Sequence, residues 1–97
     1  MKTVFIAHNQ ILSDELLELL DKLDIRGFTR WTDVQGRGSE AGDPHMGSHT
    51  WPALNGALLC VLPDDRVAPL LKALRTLDDS AERHGLRAFV WSVEASV

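Results

Sequence analysis

The sequence of 97 residues contains no tyrosine, only one cysteine and no long apolar run. With a single cysteine, Cys60, the chain cannot form an internal disulfide, and the apolar run around Cys60 predicts a buried, reduced thiol. No apolar run approaches the roughly 18–20 residues that a membrane helix needs, so we expect no membrane insertion. The N-terminal segment lacks the length and the cleavage site of a signal peptide, which makes a cytoplasmic protein the expectation.

An excess of basic residues is also missing. The 10 lysines and arginines are outnumbered by 14 aspartates and glutamates, and the resulting net charge of −4 argues against nucleic-acid binding. Hydrophobic residues make up 44% and charged residues 25% of the chain, as in ordinary globular proteins, which excludes a disordered or collagen-like chain. The length predicts a single domain over residues 1–97.

The apolar pattern predicts strands and helices in a repeated order. Four segments rich in apolar residues favour strands, at 3–7, 28–35, 56–62 and 88–94. Two leucine stripes with three- and four-residue spacing predict amphipathic helices, the first beginning near Ser13 and the second after Pro63. Strand–helix–strand, repeated once, is the pattern of the ferredoxin-like split βαβ (βαββαβ) fold. The predicted class is therefore α+β, a four-stranded antiparallel sheet with two helices on one face.

The other face of this sheet is predicted to be apolar and uncovered. Trp31, Phe89 and Trp91 lie in strand segments and, with the aliphatic residues of the third strand, supply enough apolar area for both faces. An exposed apolar patch of this kind usually meets a partner surface. A chain of this length buries only about 60–65% of its unfolded surface on its own, so we expect a homo-oligomer.

The segment 36–55 interrupts the pattern. It contains several glycines and two prolines and has no periodic apolar face. Loops of this length without secondary structure are uncommon in compact domains and are usually functional or mobile. Within it, Met46 is a candidate contact to a partner protein, and Trp51 is a candidate either for anchoring the loop or for inserting into a partner.

Three segments resemble the PII signalling proteins. The run GFTRWTDVQGRG at 27–38 is similar to the second strand and loop base of that family, where G-hydrophobic-T…V-x-G-x-G precedes the long T-loop. VLPDDRV at 61–67 resembles the third strand and the start of the second helix, and RAFVWSVE at 87–94 resembles the fourth strand. The similarity covers most of the chain in order, and the sequence is identified as a divergent, minimal PII-like protein.

The resemblance implies a homotrimer whose inter-subunit clefts bind adenine nucleotides, ATP, ADP or AMP. It also implies that residues 36–55 act as a T-loop that reports the bound state to an enzyme or membrane transporter, with nitrogen regulation as the expected setting. Gly36 and Gly38 match the loop-base glycines beside the nucleotide, and Arg87 matches the basic residue that contacts phosphates. The family's uridylylated tyrosine has no counterpart, because the chain contains none.

The residues themselves are compatible with an anion site at these positions. In the run Gly36-Arg37-Gly38, glycines let backbone donors approach an anion, and a guanidinium can hold a phosphate through two hydrogen bonds. Arg83 and Arg87 lie near the end of the second predicted helix, where cations either complement the helix dipole or bind a ligand.

A metal-binding function is the alternative. His45 and His49 lie in the loop with carboxylates and Met46, a donor set that suits a soft or borderline divalent transition metal. Two histidines make half of a zinc site, which a neighbouring subunit or His8 would complete. In that case we expect a role in metal homeostasis or efflux.

An enzyme is not expected, and no catalytic residues are assigned. No nucleophile lies beside a base at a recognisable spacing, and the sequence has no complete phosphate loop, no HExxH and no CxxC. A small isomerase that uses His8 or His84 as a base is the remaining catalytic interpretation.

Overall fold

The structure is a computed structural model that describes residues 1–80 and 85–97. Its strands and helices follow in the order β1 (Lys2–Asn9), α1 (Ser13–Lys22), β2 (Thr29–Val34), β3 (Asn55–Leu62), α2 (Val67–Ser80) and β4 (Arg87–Ser92). The strands form one antiparallel sheet in the order β2-β3-β1-β4. The predicted α+β architecture is confirmed, with strand ends that differ from the prediction by no more than two residues. In the part of the chain described, neither helix is long and apolar enough to cross a bilayer.

The central strands β1 and β3 carry the side chains that face the helices. Val4 pairs with Cys60 and Ile6 with Leu58, and all four side chains are buried. Because side chains alternate across a strand, these residues share one face of the sheet. Buried leucines of the two helices complete the core: Leu16, Leu20, Leu70 and Leu74. Each fully buried side chain of this kind contributes about 1.5–3 kcal/mol to folding, so this layer fixes the sheet on which the site is built.

The opposite face of the sheet is apolar, and no element of the described chain covers it. Phe5 pairs with Phe89 between β1 and β4, which places both rings on this side. Phe89 is 57%, Trp91 48% and Trp31 44% exposed. Soluble monomers rarely expose contiguous apolar patches of this kind, and this surface is named the open sheet face.

The segment between β2 and β3 folds back on itself. Gly36 and His45 form an isolated antiparallel bridge through two backbone hydrogen bonds, of 2.9 and 2.7 Å. Nearer the tip, the N–H of Gly47 donates to the carbonyl of Ala53 at 3.0 Å. Gly47 has φ of +63°, a conformation that glycine adopts without steric cost. The segment therefore forms a hairpin-like loop that folds back towards the end of β2.

Candidate effector site at the base of the 36–55 segment

Two hollows adjoin the base of this segment, and Gly38 and Arg87 line both of them. The first, of about 290 Å³, includes residues of the open sheet face and is named the base hollow. The second, of about 300 Å³, lies between the two arms of the segment and is named the loop hollow. Arg87 thus stands at the junction of the two.

The base hollow combines apolar surface with a cationic group. The strands contribute the apolar side chains of Phe5, Ala7, Ala57 and Phe89. The loop base contributes Gly36, Arg37 and Gly38, and β4 contributes Arg87. Binding sites for small molecules commonly pair apolar walls with a few polar groups. This hollow suits a ligand that has both a ring system and a negative charge.

Arg87 is the first residue of β4 and pairs with Ala7 of β1. This register places its exposed side chain on the open face of the sheet. Its Nη1 donates to the carbonyl of Leu86 at 2.9 Å. A guanidinium carries several N–H donors in a planar fork, so this bond leaves donors for an anion in either hollow.

Of the two loop-base glycines, Gly36 lies where a side chain would not fit, whereas Gly38 is in ordinary contact with Gly85. A Cβ at Gly36 would lie 2.5 Å from Asn55 Nδ2, well inside contact distance. A Cβ at Gly38 would lie 3.4 Å from the Cα of Gly85. The loop base and the chain before β4 therefore pack backbone to backbone, which brings Gly38 beside Arg87.

Arg37 and Arg83 are the other two predicted arginines. Arg37 lines the base hollow, but its Nε donates to the carbonyl of Gly42 at 2.7 Å. Its side chain therefore stabilises the segment in addition to bordering the site. Arg83 lies outside the described residues, as does His84.

His45 lies where several parts of the site meet. Its backbone pairs with Gly36, and its Nδ1 lies 2.6 Å from Asn55 Oδ1. Asn55 opens β3 and is only 6% exposed. Sequence reasoning did not identify Asn55. Asn55 is a polar residue immediately before an apolar strand, which is only a weak sequence signal for a functional side chain.

The two candidate partner contacts lie towards the tip of the segment. Met46 is 39% and Trp51 38% exposed. The carbonyl of Met46 accepts a hydrogen bond from Gln35 Nε2 at 3.0 Å, and Trp51 lines the loop hollow. Trp51 therefore both borders a cavity and offers surface to solvent, so anchoring and partner contact are compatible for this residue.

The metal hypothesis receives no support from the geometry. Within residues 1–80 and 85–97, no three His, Cys, Asp or Glu side chains come close enough together to hold a metal ion. The Nδ1 of His45 bonds Asn55, and His49 is exposed. The two histidines have suitable chemistry, but the fold gives His45 another partner.

His8, which the sequence suggested as a base or a metal ligand, is a buried residue. It is 2% exposed, and its Nδ1 lies 2.8 Å from the carbonyl oxygen of Asn9. Burial lowers the pKa of His8, the bond to Asn9 partly opposes this, and the charge of Arg30 lowers the pKa further. A Cβ at Gly56 would lie 2.8 Å from the ring. Because a general base must reach its substrate, this enclosure favours a structural role.

Solved structures with the same fold include CPII, a nitrogen regulatory PII-like protein from Thiomonas intermedia K12. Its complex with ADP, AMP and bicarbonate has a TM-score of 0.75 and 19% identity, covering 99% of this chain and 92% of that chain. Its complex with ADP, AMP and acetate has a TM-score of 0.73 and 20% identity, with 92% and 81% covered. A proposed PII-like signaling protein from Thermus thermophilus has a TM-score of 0.65 and 21% identity, with 93% and 83% covered.

The structural likeness at these identities establishes the fold, and the sequence comparison establishes the family. No curated protein matches the chain. The family model described as nitrogen regulatory protein P-II matches residues 1–97, which confirms the resemblance found in the sequence. The chain therefore belongs to the nitrogen regulatory protein P-II family.

Proposed function

We propose that the protein is a cytoplasmic, trimeric regulator that binds an adenine nucleotide between its subunits and controls an enzyme or membrane transporter through residues 36–55. The observation that carries this proposal is the position of Arg87, beside Gly36 and Gly38 in a hollow with apolar walls. An adenine nucleotide supplies the ring system and the phosphates that such a hollow suits.

The open sheet face supports self-association. Phe5 and Phe89 belong to this face and also line the base hollow. A second copy packed on the sheet would therefore border the hollow and turn it into a cleft between subunits. Burial contributes about 25 cal/mol per Å² of apolar surface, so a few hundred Å² is worth several kcal/mol before the cost of association.

The ligands of the structural relatives indicate which effectors should be tested first on this protein. CPII was solved with ADP and AMP, together with bicarbonate or acetate. Adenine nucleotides therefore come first, and bicarbonate is tested second, as a small anion for the loop hollow. The exposed Met46 and Trp51 support partner recognition by the segment, because tryptophan often dominates binding energy at interfaces.

Calorimetric titration with ATP, ADP and AMP, each with and without bicarbonate, tests the proposal. We expect Arg87→Gln to weaken nucleotide binding by about 10-fold or more, since a charge-assisted hydrogen bond is lost. Arg26→Gln is the matched control, because Arg26 is exposed and pairs with Asp24 at 3.0 Å away from both hollows.

Two results would contradict the proposal. One is the absence of heat from all three nucleotides while light scattering shows an intact trimer. The other is an Arg87→Gln variant that binds nucleotide as tightly as the Arg26→Gln control.

A further inference from the structure

His45 contacts three separate parts of the chain. Its backbone N–H and carbonyl pair with Gly36 at the entry to the segment, at 2.7 and 2.9 Å. Its Nδ1 lies 2.6 Å from Oδ1 of Asn55 at the exit. Its Cε1 would lie 3.3 Å from a Cβ at Gly85. One residue thus joins the entry, the exit and the chain before β4, and these contacts (Gly36, His45, Asn55 and Gly85) are named the latch.

The latch is continuous with the proposed nucleotide site. Gly85 lies two residues before Arg87 in the chain, and Gly38 packs against Gly85. His45 and Arg87 both line the loop hollow. Close-packed groups transmit small shifts rather than absorbing them, so a phosphate that repositioned the backbone near Arg87 would also shift the His45 ring.

Asn55 is the residue of the latch that is held within the sheet. It is buried at the start of β3, where it pairs with Asn9 of β1 on one side and with Val34 of β2 on the other. A buried acceptor that loses its donor is costly. Opening of the segment therefore carries a penalty at Asn55 that the exposed residues near the tip do not impose.

We infer that His45 is a positioning residue that couples nucleotide binding at Arg87 to the folded-back state of residues 36–55. This inference rests on the proposed function and concerns the regulation of the same site. Coupling of this kind is reciprocal. Nucleotide slows opening of the segment, loss of the latch weakens nucleotide binding, and a partner that needs the open segment competes with nucleotide.

Hydrogen–deuterium exchange of the full-length protein, with and without saturating ADP, tests the coupling at the amides of Gly36, His45 and Gly47. In the unaltered protein we expect ADP to slow exchange there by about 10-fold. In His45→Ala we expect faster exchange without ADP, little further effect of ADP, and ADP binding weakened by about 10-fold in calorimetry.

Three variants separate coupling from general damage. His49→Ala makes the same change at an exposed position of the segment and should behave like the unaltered protein. Asn55→Asp keeps an oxygen acceptor for His45 and should retain the coupling, whereas Asn55→Leu should reproduce His45→Ala. Slow exchange in β1 and β3 verifies that each variant is folded.

The outcomes distinguish this inference from the function on which it rests. If ADP binds but leaves exchange at these amides unchanged, or if His45→Ala binds ADP normally, the role of His45 is overturned and the proposed function stands. If no adenine nucleotide binds the unaltered protein, both are overturned.

Discussion

The side-chain amide of Gln10 forms two hydrogen bonds with Asp33. Gln10 Nε2 donates to Asp33 Oδ1 at 2.8 Å, and Gln10 Oε1 accepts the backbone N–H of Asp33 at 2.5 Å. Asp33 has φ of +57°, at the irregular register between Trp31 and Val34. The N–H of Gln10 also donates to the carbonyl of Leu54 at 2.9 Å. Gln10 therefore joins the chain before the 36–55 segment to the residue that precedes β3.

Replacement of Gln10 tests the importance of this connection. We expect Gln10→Ala to lower the free energy of unfolding by about 0.5–1.5 kcal/mol, because the exposed N–H of Asp33 exchanges its side-chain partner for water. Urea denaturation measures the change. Asp33→Gly should cost less, since glycine adopts the positive φ freely and keeps the backbone bond. An unchanged urea midpoint in Gln10→Ala would contradict the argument.

Self-association should depend on the open sheet face. We expect light scattering at micromolar concentration to give the mass of a trimer, and Phe89→Lys to reduce it to that of a monomer, because a charge cannot be buried there without a partner. Ile11→Lys is the control, since Ile11 is 81% exposed and lies outside the strands. A monomeric unaltered protein, or a trimeric Phe89→Lys, would be incompatible with this interface.

Acidification should destabilise the fold through His8. Burial holds the pKa of His8 below its ordinary value of 6.5, so the folded protein favours the neutral ring. As the pH falls below 6.5, the unfolded chain takes up the proton first and the free energy of unfolding decreases. Above that pH both states are neutral and the effect disappears.

Urea midpoints measured from about pH 7.5 to about pH 5 check this expectation. The dependence on pH should be weaker in His8→Gln than in the unaltered protein. His49→Gln should preserve it, because His49 is exposed. Identical slopes in the unaltered protein and His8→Gln would mean that other groups dominate.

The Cys60 thiol should react only when the structure opens. Cys60 is 1% exposed, and burial raises the pKa of its thiol, which lowers the fraction of reactive thiolate. We expect a colorimetric disulfide reagent to react about 100-fold or more slowly with the native protein than with protein in urea. An immediate reaction under native conditions would place the thiol at the surface.

The fold could be predicted because its signals are local. Leu16 and Leu20 of α1, and Leu70 and Leu74 of α2, recur at the spacing of a helical turn. The apolar run of β3 is too short for a helix and ends at Pro63. These patterns lie within single elements, and the order of the elements then leaves few ways to form the sheet.

The site could be predicted only in part, because its contacts join distant residues. Resemblance suggested Gly36, Gly38 and Arg87 as candidates, and these three residues line one hollow. It could not identify Asn55 or Gln10, whose partners lie 10 and 23 residues away along the chain. A side chain that bonds a distant group leaves no periodic pattern, so residue type alone suggested a metal ligand at His45 instead.

The chain leaves and re-enters the sheet at almost the same point, because Gly36 and Asn55 touch across the base of the segment. A loop anchored in this way can lengthen or shorten at its tip for a small entropic cost. Changes at the exposed tip residues His49 and Thr50, which line neither hollow, should therefore leave the strands undisturbed. The tip can diverge in sequence while the sheet and the base hollow beneath it are inherited intact.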